Sequence, residues 1–373
     1  MQDKPIHIIS FDNPFPPVYG GVVDVFYRMK ALHELGFSIY LHCFVNVIPT
    51  DYAVLKQYTK EIYFYKRPNR FLSVFSMVPF SVLSRRHKDL IVNIEKTAGA
   101  VHCEGLQSSY SISKGFFKDR VRTLRLLNLE DNYYQGLANS ERNLMKKLFF
   151  RFEAMRYKSY QNVIKEFDAV FTISVYETDY VTKHFRPAQY IPVFHGNKSV
   201  ADLSSFGNYA LYHGDMGTAD NRRAVEFLID VFKKIPDCKF IIASSKHGEP
   251  LEKLMENAPN ISFVSIKSQQ HLDELLAGAH INVMLSFQQS GTKLKVINSL
   301  FKGRFCIINK NMVDDPAIRD LCTMAETEAD FIEEVNRLKS LPYDDYQKRK
   351  VVMSNILDDN KNAALIDEII MNL

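Results

Sequence analysis

With 373 residues, 46% of them hydrophobic and 24% charged, the chain has the make-up of a soluble globular protein long enough for two domains. The opening MQDKPIHIIS is charged and runs straight into a strand-like stretch, unlike a secretory signal. Cys43, Cys103, Cys238, Cys306 and Cys322 lie far apart without a CxxC pair, against a zinc site or disulfide framework. The net charge of +4 hides an asymmetry: residues 1–200 carry 27 Lys and Arg against 18 Asp and Glu, residues 201–373 carry 20 against 25, so the first half suits an anionic surface.

In chain order, IHIIS (6–10) reads as a strand. The loop NPFPPVYGG (13–21) follows, where Gly20 and Gly21 let a backbone come close to a ligand and the next helix aims its positive end at the same point. The loop has no GxGxxG spacing, which argues against a dinucleotide. A helix from about Val22, with Val22, Phe26, Met29 and Leu32 on one face, then Gly36 and the strand SIYLHCFV complete a βαβ unit. The stretch RPNRFLSVFSMVPFSVLSRRHK (67–88) sets an aromatic run between basic residues. It is shorter than the ~20 residues that span a bilayer and is interrupted by Pro79, so it fits the membrane interface, not its core. MKKLFFRFEAMRYKSYQNVIK (145–165) places Lys146, Lys147, Arg151, Arg156 and Lys158 beside Phe149, Phe150 and Phe152, as in helices that lie on anionic lipid and equally in helices with a solvated basic face.

The polar stretch 196–208 reads as an interdomain linker. Beyond it YALYHG, KFIIASS, ISFVSI, INVMLS and FCIIN are strands separated by helix-sized segments, a second parallel sheet. Two such domains predict a ligand cleft at the carboxyl ends of their strands. In HGDMGTADNRR (213–223), Gly214 and Gly217 permit a turn, Asp220 is placed to cap the helix, and Arg222 or Arg223 lies where it can reach a phosphate. In SFQQSGTKLKVINSLFKGRFCIIN (286–309), Leu294, Ile297 and Phe301 form an apolar face while Gly291, Lys295 and Asn298 share another stripe. A buried lysine at a helix N-terminus calls for an anion to compensate it.

The succession PPVYGG, HGDMGTADNRRAVEFL and SGTKLKVINSLFKGRFCIIN resembles the retaining family 4 group of GT-B glycosyltransferases over nearly the whole chain. LRLLNLEDNYYQGLANSERNLMKKLFF is similar to the branch that assembles surface polysaccharides and glycoconjugates. The resemblance implies an α/β fold of two Rossmann-like parallel-sheet domains facing a central cleft. The acceptor domain would occupy 1–195 and the nucleotide-sugar domain 208–345, with a terminal helix, 346–373, crossing back to the first. It also implies transfer of a hexose-type sugar from a nucleotide diphosphate, UDP or GDP in type, to a glycan or lipid-linked glycan with retention at the anomeric carbon.

Carried over residue by residue, the donor set is Gly20, Gly21, His213, Gly214, Asp215, Gly291, Thr292, Lys293 and Asn298. Lys295 and Arg222 would stabilise the departing diphosphate, so that neither a metal nor a cofactor is required. Many relatives carry two glutamates with seven residues between them where this chain has Ser290 and Asn298; asparagine can still bond a ribose, but serine does not replace a carboxylate. Glu104, in AVHCEGLQ, falls where relatives place a histidine, as an acceptor ligand or base. Glu130 and Asp131 are acceptor-binding candidates. Alternatives within the same fold are a nucleotide-sugar epimerase and a catalytically degenerate binder. Nucleic-acid motifs and the GxSxG elbow of serine hydrolases are absent from the sequence. The expected location is cytoplasmic, peripheral on the inner face of the cytoplasmic membrane if the basic segments bind lipid.

Overall fold

The computed structural model describes residues 4–68, 76–141, 143–246, 253–288 and 293–373. The chain divides into two compact units. Unit 1 comprises Met1–Gln135, Leu148–Gly196 and Leu357–Leu373; unit 2 comprises Gly136–Lys147 and Asn197–Ile356.

Unit 1 is built on a seven-stranded sheet in the order β3-β2-β1-β4-β5-β6-β7, with β1 Lys4–Ser10, β2 Phe37–Val45, β3 Glu61–Lys66, β4 Ala100–Glu104, β5 Arg122–Leu126, β6 Ala169–Thr172 and β7 Gln189–Tyr190. Every pairing is parallel. Strands covered on both faces need apolar side chains on both, which is why Ile6, Ile8 and Ile9 are all buried. The strand order reverses between β1 and β4. The Gly20–Glu34 helix buries the predicted Val22, Phe26, Met29 and Leu32, and also Asp24 and Arg28.

Unit 2 repeats the plan with six parallel strands in the order β10-β9-β8-β11-β12-β13. These are β8 Ala210–His213, β9 Phe240–Ser244, β10 Ile261–Ser265, β11 Ile281–Met284, β12 Phe305–Ile308 and β13 Thr323–Met324. The order reverses between β8 and β11, the place where open parallel sheets take ligands beyond their carboxyl ends.

Three boundaries differ from expectation. Gly136–Lys147, expected in the first domain, belongs to unit 2. The stretch 196–208 is not a free linker: Ala201 N–H donates to Phe301 O at 2.7 Å, Asn208 N–H to Gly278 O at 2.9 Å, and Ser205 forms an antiparallel bridge with Tyr343. The segment expected to cross back splits at Leu357. The Tyr346–Ile356 helix stays with unit 2 because buried Arg349 donates to the carbonyls of Leu300, Gly303 and Arg304, where the Leu294–Lys302 helix ends with carbonyls needing donors. The Asp359–Met371 helix belongs to unit 1, tied to β1 by a Lys4–Asp367 ion pair of 2.7 Å and sharing its core through Ala363, Ile366 and Ile370. The outgoing chain is pinned to the returning chain within unit 1. Gly196 N–H donates to Asp359 at 2.8 Å, and the His195 ring bonds Leu357 O at 2.9 Å.

Candidate functional site

Unit 2 gathers its chemistry at the switch point between β8 and β11. His213 ends β8, and the loop after it leads into the Ala219–Lys233 helix; the segment after β11 leads into the Leu294–Lys302 helix. The residues preceding these helices, Thr218 and Lys293, make no side-chain cap, whereas Ser268 and Thr327 cap other helices of the same unit. The uncapped ends leave first-turn N–H groups for an anion.

Lys295 stands in the first turn of the Leu294–Lys302 helix, against the helix dipole. Its Nζ lies 3.2 Å from both Tyr212 Oη and Asn221 Oδ1 and 4.8 Å from the centre of the Tyr212 ring. These partners are neutral, and among the described residues no carboxylate pairs with the ammonium. Burial, then the charge of Lys293, lowers its pKa from 10.5 to about 7, with Asp220 opposing from farther off. His213 is buried beside it, its pKa lowered to about 4 by burial and then by the Lys295 charge, so the ring is neutral at physiological pH. Ser299 Oγ is 3.5 Å from its Nε2.

The loop residues form a scaffold under this point. Tyr212 Oη donates to Asn221 Oδ1 at 3.1 Å, and Asn221 Nδ2 donates to Asp215 O at 3.0 Å. A Cβ on Gly214 would lie 3.2 Å from both Asn221 Nδ2 and Tyr212 Oη, so this packing favours glycine. Asp215 accepts from Gly217 N–H at 2.7 Å and pairs with Lys246 at 2.9 Å. Asp220 does not cap its helix, as the sequence suggested. It accepts from Ser286 Oγ at 2.7 Å and Phe287 N–H at 3.0 Å, linking the β8 and β11 loops. Arg222 is held on its own loop, donating to Met216 O at 2.9 Å, and Arg223 lies over the Phe287 ring at 3.8 Å.

His213, Gly214, Asp215, Lys293 and Lys295 are thus brought around one point. Asn298 turns to another partner, accepting from Asn197 Nδ2 at 3.1 Å. Ser290, Gly291 and Thr292 lie outside the described residues. Tyr212 and Asn221, which orient Lys295, were not predicted: Tyr212 reads as one more apolar strand residue, and Asn221 carries no motif.

In unit 1, Gly20 opens the Gly20–Glu34 helix with nothing near its Cβ position, while a Cβ on Gly21 would lie 2.9 Å from the Phe11 ring. Glu104 requires a correction. It ends β4 fully buried, bonded to Arg28, with His102 Nε2 at 3.4 Å. Burial would raise its pKa, but Arg28 and His102 lower it; a low-pKa carboxylate locked in an ion pair is a poor base. It belongs to a buried network in which Asp24 joins Arg28 and Arg125, and Arg125 donates to Ile191 O at 2.7 Å and Pro192 O at 2.9 Å. Burial opposes ionisation of Asp24, and the two arginines overcome it, holding its pKa at about 2.

Glu130 is also buried, with a different result. Burial raises its pKa to about 8; a hydrogen bond from Gln107 Nε2 at 2.7 Å opposes the rise, and the Glu177 and Asp131 charges add to it. Asp131 accepts from Gln161 Nε2 at 3.4 Å. Arg67 and Arg85, expected to flank a lipid-facing run, turn inward and donate to Phe11 O at 2.5 and 2.7 Å; residues 69–75 of that run lie outside the described residues. Among the described residues no helix is long and apolar enough to cross a membrane.

No protein-family model matches the chain. An uncharacterized 44.6 kDa protein in the cps region of Klebsiella pneumoniae is 26% identical over 322 residues, spanning 81% of this chain and 82% of that one. Among solved structures, sucrose-phosphate synthase from Thermosynechococcus elongatus superposes over 99% of this chain and 98% of its own with a TM-score of 0.72 at 13% identity. Anabaena HepE in complex with UDP-glucose gives 0.65 at 12% identity, covering 99% of this chain and 100% of its own. WaaG, a glycosyltransferase involved in lipopolysaccharide biosynthesis, gives 0.66 at 12% identity, covering 98% and 99%. These structural neighbours are GT-B glycosyltransferases, and the chain has their two-domain α/β fold.

Proposed function

We propose that the protein is a glycosyltransferase that takes a hexose-type sugar from a nucleotide diphosphate donor, with retention at the anomeric carbon, and passes it to a glycan or lipid-linked glycan. The observation that carries this reading is Lys295, which has no carboxylate partner among the described residues, in the first turn of an uncapped helix beside a second uncapped helix at the switch point of unit 2. A diphosphate there satisfies the ammonium and both sets of N–H groups, and each contact strengthens as negative charge grows on the leaving group. His213, neutral beside Lys295, adds no charge of its own to the site. In unit 1, Glu130 is protonated at neutral pH and can donate to an acceptor oxygen, with Asp131 accepting nearby. The UDP-glucose complex of a structural neighbour makes UDP sugars the first donors to test, and the cps-region relative supports an acceptor in surface-polysaccharide assembly.

Thermal-shift measurements against UDP, GDP, CDP, dTDP and ADP and their sugars test the reading, with Lys295→Ala as control. A ligand that binds only the native state raises the midpoint with concentration. A shift with one nucleotide class, absent in the variant, is expected. Absence of a shift with every nucleotide, or an undiminished shift in the variant, would overturn the donor site.

A further inference from the structure

Cys306 and Cys322 are distant in the sequence, and the edge of the unit 2 sheet brings them together. β12 and β13 pair in parallel, with Ile307 against Thr323 and Ile308 against Met324. One step back along that register Cys306 stands opposite Cys322, and opposite residues of neighbouring strands share a face of the sheet. All five cysteines are free thiols. Cys43 and Cys103, on β2 and β4 of unit 1, are kept apart by β1.

The two thiols of the edge pair are hydrogen-bonded to each other. Cys322 Sγ donates to Ile318 O at 3.6 Å, which leaves its sulfur to accept from Cys306. Cys306 is 2% exposed, whereas Cys322 is half-buried, so a solvent-borne reagent meets Cys322 first. The bond with Cys322, then burial, push the Cys306 thiol well above its ordinary pKa, and the charge of Arg349 pulls the other way. Arg349 is itself 2% exposed. Its Nε–H has no acceptor among the described residues, so the guanidinium keeps donor capacity beyond the three carbonyls it caps. Neighbouring strands run ~4.8 Å apart, within the Cα separation of about 4.4–6.8 Å that a disulfide spans. The bridge also asks for Cβ atoms about 3.8 Å apart. β13 is two residues long and is the last strand of its sheet, so it can yield toward β12.

We propose that Cys306 and Cys322 are a thiol-modification site that closes to a reversible disulfide on reaction with a small-molecule disulfide such as oxidised glutathione. The thiolate of Cys322 attacks one sulfur of the reagent and expels the first glutathione thiolate. Cys306 then loses its proton, attacks the Cys322 sulfur of the mixed disulfide and expels the second. Two protein S–H bonds are replaced by one S–S bond, and the two electrons and two protons leave on two molecules of glutathione. Arg349 favours the second step, because its charge stabilises the Cys306 thiolate. This inference stands independently of the donor chemistry.

The test uses the full chain, reduced, freed of reductant and equilibrated without oxygen in glutathione buffers of rising oxidised fraction. Samples are quenched in acid, labelled with a maleimide and digested with trypsin for mass spectrometry. Two of the five thiols should be lost together, without bound glutathione, and dithiothreitol should restore both. The peptide Phe305–Lys310 should appear joined to Asp320–Arg337. Cys306→Ser removes the resolving thiol, so Cys322 should then hold one glutathione per chain; Cys306→Ala replaces it if the serine variant does not melt cooperatively. The wild-type peptide map stands without either variant. Five thiols retained in oxidised glutathione alone, a wild type that keeps glutathione on Cys322, or a bridge between other cysteines overturns the proposal. So does a Cys306–Cys322 bridge found only in protein that has lost its cooperative melt.

Discussion

Replacing Lys295 with methionine removes the ammonium while keeping most of the side-chain volume. In the folded protein the pKa of this lysine falls from 10.5 to about 7, so between those values the unfolded chain binds the proton more tightly than the fold does. The destabilisation is fully present below pH 7 and disappears as pH rises to 10.5. At ~1.4 kcal/mol per pH unit the full span amounts to about 5 kcal/mol. Lys295→Met escapes it, and the Tyr212–Asn221 hydrogen bond of 3.1 Å remains. At pH 6, without phosphate in the buffer, the variant should melt roughly 10 °C above the wild type, since each kcal/mol moves the midpoint of a domain of this size by about 2–4 °C. The gap should shrink steadily from pH 7 to pH 10. Calorimetric melts across that range, with and without a nucleoside diphosphate, measure it. Because the ligand supplies the missing anion, it should raise the wild-type midpoint and leave the variant's unchanged. Midpoints of the two proteins that run parallel at every pH would refute the argument that the lysine waits uncompensated for an anion.

Glu104→Gln should lower stability by about 3–5 kcal/mol in urea titrations, because it removes a carboxylate from buried Arg28; a base would instead lose turnover at unchanged stability. Glu130→Gln should leave stability unchanged at pH 4.5. By pH 8 it should exceed the wild type by up to about 5 kcal/mol, since the fold holds the glutamate proton to about pH 8 while the unfolded chain releases it near 4.5; denaturant titrations across that range read the difference. Gly196→Ala should destabilise by about 3 kcal/mol or more, with its φ at +72° and its Cβ position 2.0 Å from the Tyr27 ring; the melting midpoint checks it.

The strands were legible in the sequence because a parallel sheet covered on both faces demands continuous apolar runs. IHIIS, SIYLHCFV, KFIIASS, INVMLS and FCIIN all fall on strands of the two sheets. The switch-point loops were legible because glycines and charges punctuate those runs. What joins distant segments was not. Asp24 and Arg28 sit one helical turn apart, as in any surface ion pair; only the fold reveals them buried with Arg125 and Glu104. Likewise, nothing in YALYHG distinguishes Tyr212, which bonds Lys295, from a core residue. Arg67 and Arg85 read as surface charges, although Phe11 O draws both inward.

Because β1 and the Asp359–Met371 helix share one core while Asn197–Ile356, the larger part of unit 2, lies between them in the sequence, the order of synthesis differs from the order of completion. On the ribosome, the sheet of unit 1 emerges early with Phe26, Met29 and neighbouring apolar residues lacking Ala363, Ile366 and Ile370, their partners in the finished core. Unit 2, whose segments are all made earlier, has what it needs to close first. A nascent chain of this kind exposes apolar surface for the whole time taken to make unit 2. Truncation before residue 359 would make that exposure permanent, turning a loss at one end of the chain into aggregation driven by the other.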